Sequence, residues 1–418
     1  MSDTPDGSLV LSIESVAAGG DGVAHDPGGR VVFVPRAAPG DRVRATVTEE
    51  HKSFARAQLD AVLEPGPGRV EPPCSLFTSG ACGGCQWQHM SAETQHAAKE
   101  AIVGAALRRL VDAGLAIEPL RAPVPALGWR RRARLHWVRP RRASAALIGF
   151  FAPGSRHVTD VDRCPQLDSA LGDALAAIRR VLAPALTGRG EIDVVAGEGG
   201  VHVTVRGPCA PTAARALADA PEIAGVRLGR RQFGATSVAL EAGLEAAAGD
   251  FAQASTAGNA ALLEIVDQAT RAREGGRVLE LYAGSGNLTR VLARGADAVV
   301  AVERAQPIAP PEGGNVSFRQ GAAEEEVSIL ARHGERFDLV VLDPPRTGAA
   351  ETCRLLPRLG APRVVYVSCD PATLARDAAA LVAAGYAPVR AWPIDMMPQT
   401  AHLEVVLELV GSDHSSNQ

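Results

Sequence analysis

Apolar and polar positions change rhythm twice along the chain. Between residues 9 and 64, short apolar runs at 9–16, 30–35, 43–48 and 55–63 are separated by turn residues around 19–22, 26–29 and 39–41. That punctuation predicts a small barrel of short strands, the architecture of oligonucleotide-binding folds. A Pro/Gly-rich linker follows at 64–68. Residues 91–113 place Ala98, Ile102, Ala105, Ala106 and Leu110 at helical spacing, with Ser91 three residues before Thr94 at the start. From about 130 to 235, β-like stretches (133–138, 146–151, 192–196, 201–206) alternate with Ala-rich helical ones (168–183, 212–220), which predicts an α+β domain. Beyond 250 the pattern becomes βα units, with strands expected at 278–282, 298–302, 316–318, 339–342 and 364–368. These runs are apolar throughout, as in a parallel sheet covered on both faces. An added strand is expected at 402–410 and a frayed tail from 411. The resulting division is a β module at 1–66, an α+β domain at 67–245, an α/β domain at 246–411 and a flexible tail at 412–418.

Composition adds limits. The 418 residues exceed one ordinary domain, and 46% hydrophobic with 22% charged residues excludes extensive disorder. No apolar run approaches the ~20 residues that span a bilayer, and the polar, acidic start is not a signal peptide. A cytoplasmic protein, expected as a monomer without membrane contact, follows. The net charge of −4 argues against a nucleic-acid partner until its distribution is considered. Residues 129–142 hold seven arginines (Arg130, Arg131, Arg132, Arg134, Arg139, Arg141 and Arg142) and no acid, with Trp129 and Trp137 among them. Guanidiniums for phosphates beside rings for bases suit single-stranded RNA.

Candidate chemistry concentrates in the last domain. Tyr282-Ala283-Gly284-Ser285-Gly286 turns a strand into a helix, and the next strand ends at Glu303. Glycines admit a ligand to the backbone, and the acid can accept both hydroxyls of a ribose. A third glycine, wanted for a dinucleotide, is replaced by Thr289. That combination fits S-adenosylmethionine. The fourth strand ends in Asp343-Pro344-Pro345-Arg346. The fifth runs into Cys369, directly before a proline-started helix, a setting that lowers a thiol pKa. Glu404 is an acid inside an apolar strand, costly unless paired or used. Cys209 and Cys353 lack such settings and read as structural.

Ser368-Cys369-Asp370-Pro371-Ala372-Thr373-Leu374-Ala375-Arg376-Asp377 resembles the catalytic signature of the S-adenosylmethionine-dependent RNA uracil-5-methyltransferases. Asp343-Pro344-Pro345-Arg346 and His402-Leu403-Glu404 match that family's other motifs in order and spacing. The resemblance implies a Rossmann-like class I methyltransferase domain of α/β class, an N-terminal OB-like TRAM barrel, and the α+β domain between them. It implies Cys369 as nucleophile, Glu404 as general base, and cofactor contacts from Gln253, Tyr282, Gly284, Gly286, Glu303 and Asp343. The chain departs from the family's pattern at Ser255, Ala322, Gln399 and the short proline-rich segment 304–317.

Cys74, Cys82, Cys85 and Cys164 form a quartet whose spacing allows zinc or an iron–sulfur cluster. The resemblance implies a 4Fe–4S cluster in a structural role. It also puts ribosomal RNA ahead of tRNA as partner. Two competing readings are a non-catalytic RNA-binding or assembly factor with a degraded cofactor site, and an amine methyltransferase acting through Asp343-Pro344-Pro345.

Overall fold

The computed structural model describes residues 8–241, 243–270, 275–305 and 314–411. The expected tail beyond 411, the polar start, and residues 306–313 of the proline-rich segment lie outside the described residues.

The first module has six strands, β1 (Ser8–Ser12), β2 (Ser15–Val16), β3 (Gly22–His25), β4 (Val31–Val34), β5 (Arg42–Glu50) and β6 (Phe54–Glu64). They pair in the order β1-β5-β6-β4-β3-β2. Three register shifts between β5 and β6 bend the sheet around Leu11, Val32, Val34, Val43 and Ala55. The Pro/Gly stretch after β6 is no loose linker. Buried Asp41 accepts hydrogen bonds from the backbone N–H of Gly66 at 2.8 Å and from the Arg69 guanidinium at 2.6 Å, which pins it to the barrel.

Next come α1 (Ser75–Thr78), α2 (Ala92–Ala106), α3 (Arg108–Val111) and the two-residue strand β7 (Ala116–Ile117). The Ser91 hydroxyl caps α2 by accepting from Thr94 N–H. Here the structure departs from the expected domain division. Ile102, Val103, Leu107 and Leu110 pack into the core of the C-terminal domain, and β7 extends that domain's sheet. Periodicity marks the helix but cannot say which core receives its apolar face.

The central sheet contains β8 (Arg132–Val138), β9 (Leu147–Phe151), β10 (Val158–Asp160), β11 (Arg189–Gly197), β12 (Gly200–Arg206), β13 (Ile223–Leu228) and β14 (Arg231–Gly234). Their order is β10-β9-β8-β11-β12-β13-β14. One face packs on α4 (Ser169–Leu182) and α5 (Pro211–Ala218) through Leu135, Ile192, Val203, Leu175 and Ile178. A ribbon of β15 (Val238–Ala239) and β16 (Glu245–Ala246) leads onward.

The C-terminal domain comprises α6 (Thr256–Thr270), β17 (Arg277–Leu281), α7 (Thr289–Gly295), β18 (Ala298–Glu303), β19 (Val316–Gln320), α8 (Ala323–Arg332), β20 (Leu339–Leu342), α9 (Ala350–Leu355), β21 (Arg363–Ser368), α10 (Pro371–Ala383), β22 (Tyr386–Ile394) and β23 (Glu404–Gly411). The sheet order is β19-β18-β17-β20-β21-β23-β22-β7, parallel from β19 to β21. Its central strands are mostly apolar because both faces are covered. Val278, Val341 and Val367 meet α6 and α7, while Leu279, Val340 and Tyr366 meet α8, α9, α10 and α2. The doubly wound parallel part matches the expectation. The strand β22, between β23 and the terminal β7, is not predicted by the pattern, since Pro388, Arg390 and Pro393 interrupt its apolar run.

Candidate functional site

Parallel strands share a direction, so their carboxyl ends lie along one edge. There β17, β18, β20 and β21 deliver Tyr282, Glu303, Asp343 and Cys369, and antiparallel β23 begins at Glu404. A cavity of about 1230 Å³ opens on this edge. Gln253, Tyr282, Gly284, Glu303, Asp343, Cys369 and Glu404 line it, joined by Arg130, Arg132 and Arg134 from the central sheet. Gly286 is not among the lining residues. It closes the turn instead, with φ +85° and its N–H donating to Ala283 at 2.9 Å. At Gly284 (φ +56°) a Cβ would project into open space, so the turn leaves room for a ligand against the backbone. Tyr282 adopts φ +63°, strained for a non-glycine residue, and its hydroxyl hydrogen-bonds Thr352 Oγ1 at 2.9 Å. The Glu303 carboxylate accepts from Gly284 N–H at 2.9 Å and from Ala305 N–H at 3.0 Å, which fixes it beside the turn.

The cavity is acidic and poorly solvated. Burial pushes Asp343 up to about 7. Glu404 is raised well above the usual carboxylate range by burial, then by repulsion from Asp343, and its Oε2 has no hydrogen-bond partner within the protein. Glu280, not singled out from sequence, is 1% exposed and pushed up to about 8 by burial; its Oε2 is also unpartnered. The rule applied to Glu404, an acid inside an apolar strand, would have found it. Arg346, quoted in its motif but given no role, lies beside Cys369 and opposes these charges.

The expected low thiol pKa does not hold. Burial and the Glu404 charge raise Cys369 to about 11. The expected pull of the helix start is also blunted. Asp370 occupies the start of α10 and accepts from Ala372 and Thr373 N–H at 3.0 and 2.9 Å, so the helix terminus is satisfied by a carboxylate.

The segment before Glu404 is held by α2. Lys99 is fully buried and bonds Asp395 Oδ1 at 2.6 Å and the Met397 carbonyl at 3.2 Å. Gln95 donates to Gln399 Oε1 at 3.0 Å and accepts from Gln399 N–H at 2.9 Å. Gln86 and Trp87 N–H both donate to the Gln399 carbonyl. Gln399, one of the departures from the family pattern, thus joins this segment to the chain just after Cys85. Ser255, another, accepts from Gly258 N–H at 3.1 Å and caps α6.

Cys74, Cys82, Cys85 and Cys164 lie near enough for their charges to bear on one another. Cys82 is raised by burial and by the charges of Cys164 and Cys74, and Cys85 is pushed up to about 12 by burial with Cys164 and Cys82 nearby. Gly84 N–H donates to the Cys82 sulfur at 3.4 Å, and Cys164 takes backbone hydrogen bonds from Gln166 and Leu167. Among the described residues, no group of three or more His, Cys, Asp or Glu side chains stands ready to hold a metal ion. Cys353 is buried in the core and Cys209 is half-buried against the central one.

The arginine stripe divides. In β8 alternate side chains face opposite ways, so Trp137 enters the core, and Trp129 is buried with its N–H on Gln166 at 2.7 Å. Neither ring is free to stack on a base, contrary to expectation. Arg131 is buried, bonding the Gln253 carbonyl and Glu241. Arg139 donates to the carbonyls of Ala143, Ser144, Pro184 and Leu186. These two arginines are spent on the fold, while Arg130, Arg132 and Arg134 reach the cavity and Arg141 and Arg142 sit in an exposed turn.

Residues 10–59 match the family described as TRAM domain, and residues 329–410 match that described as tRNA (Uracil-5-)-methyltransferase. The chain is 35% identical to a 23S rRNA (uracil(1939)-C(5))-methyltransferase RlmD of Halomonas elongata, covering 99% of this chain and 92% of that one. It is 34% identical to the protein of the same description from Chromohalobacter salexigens, covering 96% and 88%. In fold it is similar to the Pyrococcus abyssi tRNA (uracil-54, C5)-methyltransferase in complex with S-adenosyl-L-homocysteine. The TM-score is 0.71 at 21% identity, over 96% of this chain and all of the other.

Proposed function

The chain belongs to the S-adenosylmethionine-dependent RNA uracil-5-methyltransferases, and from that premise we propose that it methylates C5 of one uridine in 23S rRNA through a covalent cysteine adduct. The observation that carries the reading is the convergence of Cys369 and Glu404 on one cavity with the glycine turn and Glu303. Family membership removes the non-catalytic and amine-directed alternatives. Relatives aligned over nearly the whole chain favour ribosomal RNA over tRNA, in keeping with work in the cytoplasm.

S-adenosylmethionine fits the site. It carries net positive charge, and Glu280, Glu303 and Asp343 offer it carboxylates, two of them otherwise desolvated. When bound it supplies the methyl group. Uracil C5 is a weak nucleophile. The Cys369 sulfur adds at C6, giving up its proton, and electron density moves onto C5 as an enolate that takes the methyl. Glu404 then removes the C5 proton, and the sulfur leaves with restoration of the 5,6 double bond. Arg346 beside the thiol favours its ionised form during attack. The target base has to leave its stack to reach Cys369.

RNA carrying 5-fluorouridine at the target position tests this, because fluorine is not abstracted as a proton is. Wild type with S-adenosylmethionine is expected to give a denaturation-resistant protein–RNA adduct, and Cys369→Ala none. Absence of the wild-type adduct, or its persistence in the variant, would overturn the assignment.

For Cys74, Cys82, Cys85 and Cys164 we propose a structural 4Fe–4S cluster. The proximity of these thiols and the N–H donors to the sulfurs of Cys82 and Cys164 support it. Protein purified without oxygen is expected to contain about four irons and four sulfides. Stoichiometric zinc without iron would replace the cluster with the zinc alternative.

A further inference from the structure

A second cavity, of about 540 Å³, lies beside the catalytic one and is lined by Thr204, Arg206, Gly207, Arg227 and Gly229 with parts of Val205 and Leu228. Its polar groups come from a row across the face of the central sheet that is turned away from α4 and α5. Arg134 stands opposite Asp193, Asp193 opposite Thr204, and Thr204 opposite Arg227, on β8, β11, β12 and β13. Asp193 is 5% exposed and bonds two guanidiniums, Arg134 through Oδ1 at 2.7 Å and Arg206 through Oδ2. Both arginines remain about half exposed, so Asp193 orients them without covering them. At Gly249 (φ +103°) a Cβ would fall on the Arg206 guanidinium. Arg134, Asp193 and Gly249 themselves line the catalytic cavity. Arg206 therefore stands between the two.

The second cavity has two guanidiniums and no acid in its lining. Arg227 gives one N–H to the Ala248 carbonyl at 3.2 Å. Thr204 is 3% exposed, and its hydroxyl has no partner within the protein. A buried hydroxyl left unpaired is costly, and one placed between two guanidiniums has the donor set that holds a phosphate.

We propose that this cavity binds a backbone phosphate of the RNA strand next to the uridine held in the catalytic cavity. Arg206 and Arg227 supply the charge and Thr204 a hydrogen bond. The inference rests on the RNA-methylating reading and adds a subsite that the arginine-rich sequence 130–142 does not contain.

The probe is a 23S rRNA fragment spanning the position equivalent to uridine 1939, carrying 5-fluorouridine there, bound to the full-length protein over a range of salt concentrations. Each phosphate contact in single-stranded RNA contributes roughly 0.7 to the slope of log K against log salt. Arg206→Gln and Arg227→Gln are each expected to lower the slope by about that amount, whereas Arg206→Lys keeps it. Thr204→Val is expected to weaken binding several-fold at unchanged slope, and it serves if Arg206→Gln does not fold. Wild-type slopes in the folded glutamine variants, with the wild-type adduct forming, would overturn the subsite alone. A lowered slope without any wild-type adduct would support the subsite and overturn the methyl-transfer reading.

Discussion

Glu404→Gln is expected to take up the methyl group yet fail to release the RNA, so that a covalent protein–RNA complex accumulates with ordinary uridine at the target position. Thiol attack and methyl transfer precede loss of the C5 proton, and amide nitrogen cannot accept that proton. Turnover is expected to fall by about 10²–10⁴-fold, the usual worth of a positioned acid or base. The adduct should appear on denaturing gels without fluorinated substrate. Rapid turnover by this variant would remove Glu404 from the role of base. The pH dependence follows from the same surroundings. Glu404 acts as base only when ionised, and burial with Asp343 nearby raises its pKa well above the usual range. The release rate is therefore expected to climb as pH rises through neutrality, with an inflection far above the ~4.3 of a free glutamate. The Cys369 thiol, raised to about 11 by burial and the Glu404 charge, favours higher pH in the same direction.

Lys99→Met is expected to be the most destabilising single change away from the chemistry. It leaves Asp395, 2% exposed, without its buried cation; among the described residues its remaining charged neighbour is His96 at 3.8 Å. Removing one partner of a buried ion pair costs about 3–5 kcal/mol, whereas replacing both with apolar residues of similar size is often nearly neutral. Chemical denaturation should show that loss for Lys99→Met and recovery of most of it in Lys99→Met with Asp395→Leu. Equal losses in the single and double variants would show that an unpaired Asp395 charge is not the cause of the loss. Because Asp395 Oδ1 also accepts from Met397 N–H at 3.1 Å, the single variant loosens the segment leading to Glu404 as well.

The C-terminal sheet was legible because strands covered on both faces have to be apolar, and runs such as Leu339–Leu342 carry that requirement openly. The catalytic edge was legible for a related reason: parallel strands bring residues at their ends together whatever their separation in sequence. What escaped depended on neighbours that no local pattern names. The stripe at 129–142 reads as continuous positive charge, but alternation in β8 and the packing of Arg131 and Arg139 divide it. Cys369 looked like a thiolate at a helix start, and Asp370 one residue later takes that place. Thr204, Arg206 and Arg227 meet only through strand register, which is set after the sheet has formed.

β7 and α2 have a consequence for synthesis. Both belong to the C-terminal core, yet β7 pairs with Arg390 and Ala391, roughly 270 residues downstream. At about 5–20 residues per second, translation leaves these elements without their partners for about 15 to 55 seconds. Ile102, Val103, Leu107 and Leu110 stay uncovered through that interval while the central domain emerges and folds. A nascent chain of this design offers an apolar helix to chaperones well before its catalytic domain exists. The C-terminal fragment expressed alone would carry the matching uncovered surface.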